Sequence, residues 1–282
     1  MNKSTTLRRL LDGPKLFRIV GAHDGLSARL IEDSGFEAVW ASSLGISVVH
    51  AMPDADILTM TQYLQATEVM NAAIDLPIVA DCNAGFGNIN NVVHLVHKYE
   101  RCGIAGVCIE DKVFPKTNSL FRGQQLLSPI GEFVEKLRKA KSSQTSPDFV
   151  VIARVEALIA GLGFDEAVKR ASAYEEAGAD AIVIHSKATG PEEIVEFMGR
   201  WRGQAPIIVI PTTYPRVTLQ ELQGLGIRGA IYACQGLRSS IRGMKDVFAE
   251  LFRASGPACV ENKIATLEEV LETQRTYEWV NL

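Results

Sequence analysis

A closed parallel (β/α)8 barrel of the TIM type is the fold predicted for this 282-residue α/β chain. Three observations predict it: eight short apolar runs rich in β-formers, helical spacing between them, and a glycine step repeated where those helices stop. The runs are LFRIVGA (16–22), AVWAS (38–42), PIVAD (77–81), GVCIED (106–111), FVVIARV (149–155), AIVIHS (181–186), PIIVIPT (206–212) and GAIYAC (229–234). Most are continuously apolar rather than alternating, as strands covered on both faces should be. Between them, DGLSARLIEDSG, NINNVVHLVHKYERCG, GFDEAVKRASAYEEAG and PEEIVEFMGRW carry helical periodicity. DSGFEAVW, RCGIAGVC, EAGADAIV and GLGIRGAI then set Gly35, Gly103, Gly178 and Gly226 at helix ends, where glycine accepts the left-handed backbone that closes a helix. An open doubly wound sheet is the alternative, and a count of eight argues against it. No low-complexity linker divides the chain, so residues 1–282 are expected to form a single domain. After the eighth run come two helices, about 237–253 and about 265–276, separated by SGPA. The second has an apolar side (Ile264, Leu267, Val270, Leu271) that needs burial, on its own barrel or on a neighbouring subunit.

Composition narrows the class. The chain is 47% hydrophobic with a formal charge of -4, so the basic footprint of a nucleic-acid binder is missing. No apolar run approaches the roughly 20 residues of a membrane span. MNKSTTLRRLLDG has charge without an apolar segment behind it and does not read as a signal peptide. The five cysteines (Cys82, Cys102, Cys108, Cys234, Cys259) are odd in number and form no C-x-x-C pair. A disulfide framework is therefore not expected, and a cytoplasmic setting is.

Loops after the strands of such a barrel form one rim, and polar residues at strand ends point into it. Those ends supply Ser42 and Ser43, Asp81 and Asn83, Glu110 and Asp111, Arg154 and Glu156, His185 and Ser186, Thr212 and Thr213. Each alone has a plainer reading as a helix cap, a local ion pair or a satisfied histidine; together they build a polar pocket on an apolar barrel. Asp81 and Glu110 are hard oxygen donors suited to Mg2+, directly or through water. Arg154 and His185 suit a phosphate or carboxylate. An Arg154 ion pair with Glu156 or Glu110 is the competing structural explanation. GFGN at 85–88 lacks the spacing of a phosphate loop, and its glycines shape a turn instead. In IEDKVFPKTNSL, Glu110 and Asp111 are expected to face the metal and 112–121 to form a lid bringing Lys116 and Asn118 to an anionic group while excluding water.

GAHDGLSARLIEDSGF, EDKVFPKTNSL, IARVEALIAG and IHSK resemble the phosphoenolpyruvate mutases of the isocitrate lyase superfamily, from about residue 16 to the C-terminal helices. The resemblance implies an α/β barrel whose last helix is exchanged between subunits of a dimer or tetramer. It also implies Mg2+-dependent interconversion of phosphoenolpyruvate and phosphonopyruvate, the step that makes the carbon–phosphorus bond of phosphonates. By the same resemblance, Ser42, Ser43 and Leu44 hold the pyruvyl carboxylate and enolate oxygen. Asp54, in MPDADIL, matches the essential aspartate beside the migrating phosphoryl group. Asp81 and Glu110 organise Mg2+ largely through water, and Arg154 and His185 bind phosphoryl oxygens. Lys116, Asn118 and Ser119 close from the lid. Where mutases carry D-A-D-T-G-Y-G-N this chain has DCNAGFGN, so Asn83 takes the place of a metal-shell aspartate, and weaker or more selective Mg2+ binding, or a shifted reaction preference, is expected.

Two relatives offer other chemistry. Phosphonopyruvate hydrolases share PDADILTM, IARVEALIAGLG and IPTTYP but carry Thr where this chain has Asn118, so KTNS favours the mutase form. Carbon–carbon lyases of the superfamily carry K-K/R-C-G-H on the lid, and 116–120 contains no such thiol. A third possibility, from a different class, is a barrel that binds a carboxylate or phosphate without turnover. The full polar rim argues against it.

Overall fold

The computed structural model describes residues 2–280. Eight parallel strands close into a barrel in sequence order: β1 (Phe17–Ala22), β2 (Ala38–Ala41), β3 (Ile78–Asp81), β4 (Gly106–Glu110), β5 (Val150–Val155), β6 (Ala181–Ile184), β7 (Ile207–Val209) and β8 (Gly229–Tyr232). The seam is β1 against β8, with Phe17 opposite Gly229 and Val20 opposite Tyr232. Gly21 stands at that seam because a Cβ there would run into the Ala233 carbonyl. The helices are α1 (Lys3–Asp12), α2 (Gly25–Asp33), α3 (Ser43–Val49), α4 (Met60–Ala73), α5 (Ile89–Arg101), α6 (Ile130–Ser143), α7 (Gly163–Glu176), α8 (Glu192–Arg200), α9 (Leu219–Gly224), α10 (Gln235–Arg253), α11 (Leu267–Thr273) and α12 (Thr276–Val280). Asp24, Thr59, Asn88 and Thr218 start α2, α4, α5 and α9 with reciprocal capping boxes. Gly35, Gly103, Gly178 and Gly226 all have φ between 71° and 96°, as the helix-closing repeat requires.

The hydrophobic core has two layers. One lies between strands and outer helices, with Trp201, Tyr63, Tyr99, Tyr174 and Tyr214 among its largest members. The other fills the barrel: Ile19, Trp40, Val79, Cys108, Ile152, Val183, Ile208 and Ile231 pack on one another and on Leu7 and Leu11 of α1. The strand-helix pattern does not predict that first helix, although Leu7, Leu10 and Leu11 recur at helical spacing and Asn2 accepts the Ser4 N–H as a cap. It seals the barrel at the end where the strands begin.

The described residues fall into two compact units that part after Cys234. The second contains α10, a short 3-10 turn at Pro257–Cys259 and the two terminal helices. The helix expected over about 265–276 is two helices, because Arg275 adopts a φ of 54° and interrupts the run. Met244, Phe248 and Phe252 line one face of α10 at four-residue spacing, and all three are exposed; Leu267 is 83% exposed. Among the described residues no helix is long and apolar enough to cross a membrane.

Candidate active site

Strand parity assembles the site. Side chains alternate across a strand, so residues two beyond the inward-pointing Trp40, Val79, Cys108, Ile152 and Val183 face the same way at the mouth. Those residues are Ser42, Asp81, Glu110, Arg154 and His185. They border a cavity of about 60 Å³ lined by Trp40, Ser42, Ser43, Leu44, Asp54, Asp81, Lys116, Asn118, Ser119, Leu120, Arg154, His185, Ile210, Thr212, Ala233 and Cys234. Of the residues expected to bind substrate, metal or phosphoryl group, all line it except Asn83, Glu110 and Asp111, which are buried outside its lining.

Asp54, from the loop between α3 and α4, is the focus of the cavity. Lys116 Nζ donates to its Oδ1 at 2.6 Å and Asn118 Nδ2 to its Oδ2 at 2.7 Å. Burial alone would raise this carboxyl, but the Lys116 ammonium and the Asn118 amide outweigh burial and hold it below the ordinary range. Burial opposes the charge on Lys116 too, yet Glu110, Asp54 and Asp81 raise it overall. Both groups are therefore charged at neutral pH. The segment bearing Lys116 and Asn118 lies across the mouth. It is pinned at its ends by the Lys112–Leu127 bridge, by Val113 N–H donating to the Leu126 carbonyl, and by Ser128 N–H donating to the Asp111 carbonyl.

Glu156 collects the groups on the opposite wall. Its carboxylate accepts from Arg154 Nε at 2.5 Å, from Ser119 Oγ at 2.6 Å and lies 2.8 Å from His185 Nδ1; Lys112 Nζ is 3.4 Å away. Burial would raise Glu156, but Arg154 and His185 pull it well below the usual carboxylate range. For His185, burial is the largest influence and lowers it; Glu156 offsets part of that, and Arg154 adds to it. His185 is thus neutral near pH 7. The structural ion pairs weighed for Arg154 are both present, to Glu156 and, at 3.4 Å, to Glu110. They coexist with cavity exposure, because Arg154 still lines the pocket.

The donor set fits a hard cation. Glu110 Oε1 and Asn83 Oδ1 are buried and accept no hydrogen bond. Burial pushes the Glu110 carboxyl up to about 7 despite Lys112, Arg154 and Lys116, so its charge is incompletely compensated by protein groups. Asn83 joins it to Asp81: its N–H donates to Asp81 Oδ1 at 3.3 Å and its carbonyl accepts the Glu110 N–H at 2.8 Å. Asp81 also accepts from Ser43 Oγ at 2.8 Å. Among the described residues no three His, Cys, Asp or Glu side chains converge as a ready metal cage.

Asp111 departs from the expectation that it faces the metal. Being one residue past Glu110, it has the opposite parity and points outward, where it accepts from Tyr174 OH at 2.7 Å, Arg170 Nη1 at 3.0 Å and the Glu156 N–H at 2.9 Å. Ser186 and Thr213 are structural as well: Ser186 Oγ donates to Glu193, and Thr213 Oγ1 to the Ser186 carbonyl. Three contributors carry no role that the sequence assigns. Glu156 is visible as a strand-end acid, but its hub role needs the fold. Lys112 is buried, donating to Thr117 O and Ser119 Oγ at 2.8 and 2.7 Å. Asp56 binds Asn83 and the Lys116 backbone; its only sequence signal is a second acid two places after Asp54.

The family model described as "Phosphoenolpyruvate phosphomutase" matches residues 7–252. The phosphoenolpyruvate phosphomutase of Tetrahymena pyriformis is 42% identical over 273 residues, covering 96% of this chain and 91% of that protein. A crystal structure of phosphoenolpyruvate phosphomutase from Streptomyces platensis subsp. rosaceus superposes with a TM-score of 0.97 at 45% identity, covering 99% of this chain and 97% of that one. A phosphonopyruvate hydrolase solved with oxalate and Mg2+ gives a TM-score of 0.93 at 39% identity, covering 99% and 96%. With a family match over most of its length and relatives above 40% identity, the chain belongs to the phosphoenolpyruvate phosphomutase family.

Proposed function

We propose that this chain is an isomerase that interconverts phosphoenolpyruvate and phosphonopyruvate: the bond from phosphorus to the enol oxygen breaks and a bond from phosphorus to C3 forms. The observation that carries the reading is the ionised Asp54, gripped on both oxygens by Lys116 and Asn118 inside a cavity of about 60 Å³ that also exposes Arg154 and His185. A loose phosphoryl transition state asks mainly for positioning and charge stabilisation.

In this reading Ser42, Ser43 and Leu44 orient the pyruvyl carboxylate and enolate oxygen. Asp54 stands beside the migrating phosphoryl group, with Lys116 and Asn118 fixing its position. Arg154 and His185 hold phosphoryl oxygens, and Glu156 fixes the planes of both side chains. Ser119 closes the wall between the two sides, hydrogen-bonded to Glu156 and Arg154. Asp81, Glu110 and Asn83 would hold Mg2+, which would supply positive charge to offset that on the enolate and carboxylate oxygens. The segment 112–121 keeps water from the phosphoryl group. A second copy of this chain completes the molecule, as dimer or tetramer, with C-terminal helices exchanged; the exposed apolar face of α10 and the exposed Ile264, Leu267, Val270 and Leu271 support this.

Phosphorus NMR of phosphonopyruvate with enzyme and Mg2+ tests the reading. Phosphoenolpyruvate appears, and omission of the metal with chelator present stops its appearance. Inorganic phosphate and pyruvate without phosphoenolpyruvate would identify a hydrolase and overturn the proposal.

A further inference from the structure

Asp56 has no part in the roles above, yet its carboxylate is where three segments meet. Oδ1 accepts from Asn83 Nδ2 at 2.7 Å, and Oδ2 accepts the Lys116 backbone N–H at 2.6 Å. Asp56 and Asn83 both hold left-handed backbone conformations, with φ of 54° and 50°. Residues with a Cβ adopt these rarely, and they persist where the surroundings hold them. Asn83 is fully buried and tied by its own backbone to Asp81 and Glu110, so it moves with the barrel. Lys116 sits on the segment across the mouth, and its ammonium and the nearby Asn118 amide reach Asp54.

We propose that Asp56 is a positioning residue whose carboxylate clamps segment 112–121 to the end of β3 and thereby sets the reach of Lys116 and Asn118 to Asp54. Its kinetic consequence rests on the phosphoryl-transfer reading; the clamp itself does not. The chemistry at the joint is specific. Position 56 must accept from the Lys116 amide while pairing with 83, and position 83 supplies the matching donor. The pair can therefore be inverted: asparagine at 56 offers an oxygen to Lys116 and an amide to an aspartate at 83. Asn83→Asp alone instead sets two carboxylates against each other.

Hydrogen exchange read by mass spectrometry on the metal-free full chain tests this, comparing wild type with Asp56→Ala, Asn83→Asp and the double variant Asp56→Asn/Asn83→Asp. Exchange in the 112–121 peptide rises roughly tenfold or more in each single variant, as loss of a charge-assisted hydrogen bond implies, while the strand peptides stay unchanged. The double variant returns the segment to within about twofold of wild type, and kcat for phosphonopyruvate falls and recovers in the same order. Unchanged exchange in the single variants that fold, or no recovery in the double variant, overturns the clamp. If one single variant does not fold, the other together with the double variant still decides. Exchange that follows the expected order in an enzyme releasing only pyruvate and phosphate upholds the clamp and sinks the mutase reading instead.

Discussion

Asp54 accepts one hydrogen bond on each oxygen and is otherwise enclosed, so its charge is available only to what enters the cavity. Asp54→Ala should lower kcat by at least about 10²–10³-fold, the scale of losing one fixed charge at a phosphoryl or oxyanion centre, with circular dichroism unchanged. His185 gives a prediction whose sign follows from linkage. Its folded-state value lies below that of the unfolded chain, so as pH falls past about 6.5 the unfolded state takes up a proton first. Stability contributed by the neutral, buried imidazole is therefore present at higher pH and declines toward acid. The destabilisation caused by His185→Asn should be largest near about pH 7.5 and shrink toward about pH 5.5, read from urea midpoints. Residues at strand ends were legible in the sequence because a charged side chain after an apolar run has few other places to go. Asp56 was not: its partners lie 27 and 60 positions away, at Asn83 and Lys116.

At the scale of elements, β4 shows what alternation decides. Glu110 turns inward toward Asn83 and Arg154 and Asp111 outward to Tyr174 and Arg170 on α7, one residue apart. The apolar run GVCIED announces the strand, but two adjacent acids at its tip do not say which of them faces in; the register with β5, pairing Glu110 with Arg154, does. A structural Asp111 predicts that Tyr174→Phe, which removes one buried donor, costs about 1–3 kcal/mol in denaturant unfolding and leaves kcat and Mg2+ affinity unchanged. A metal-facing Asp111 would instead give a variant with altered Mg2+ dependence. The glycine-marked helix ends were readable because a left-handed residue is a local demand. Helix α1 was not, because its short apolar stripe gains meaning only once the floor of a barrel needs covering.

For the whole molecule, eight strand-helix units could be counted from the sequence, whereas the C-terminal unit offers apolar side chains whose cover the chain alone does not name. With Phe248 63% and Phe252 92% exposed on α10, the proposed association of copies predicts that Phe248→Asp combined with Phe252→Asp yields a monomer in sedimentation velocity, against a dimer or tetramer for the unaltered protein. A species of unchanged mass would remove α10 from the interface. One consequence of α1 concerns traffic. Leu7 and Leu11 close the floor of the barrel and Ile19, Trp40 and Ile152 fill its shaft, so among the described residues that end is packed shut. On the proposed function, what enters would leave past Lys116 and Asn118, with their hold on Asp54 released and remade at each turnover. A thicker solvent, slowing that gate and not the chemistry behind it, should then slow release of product.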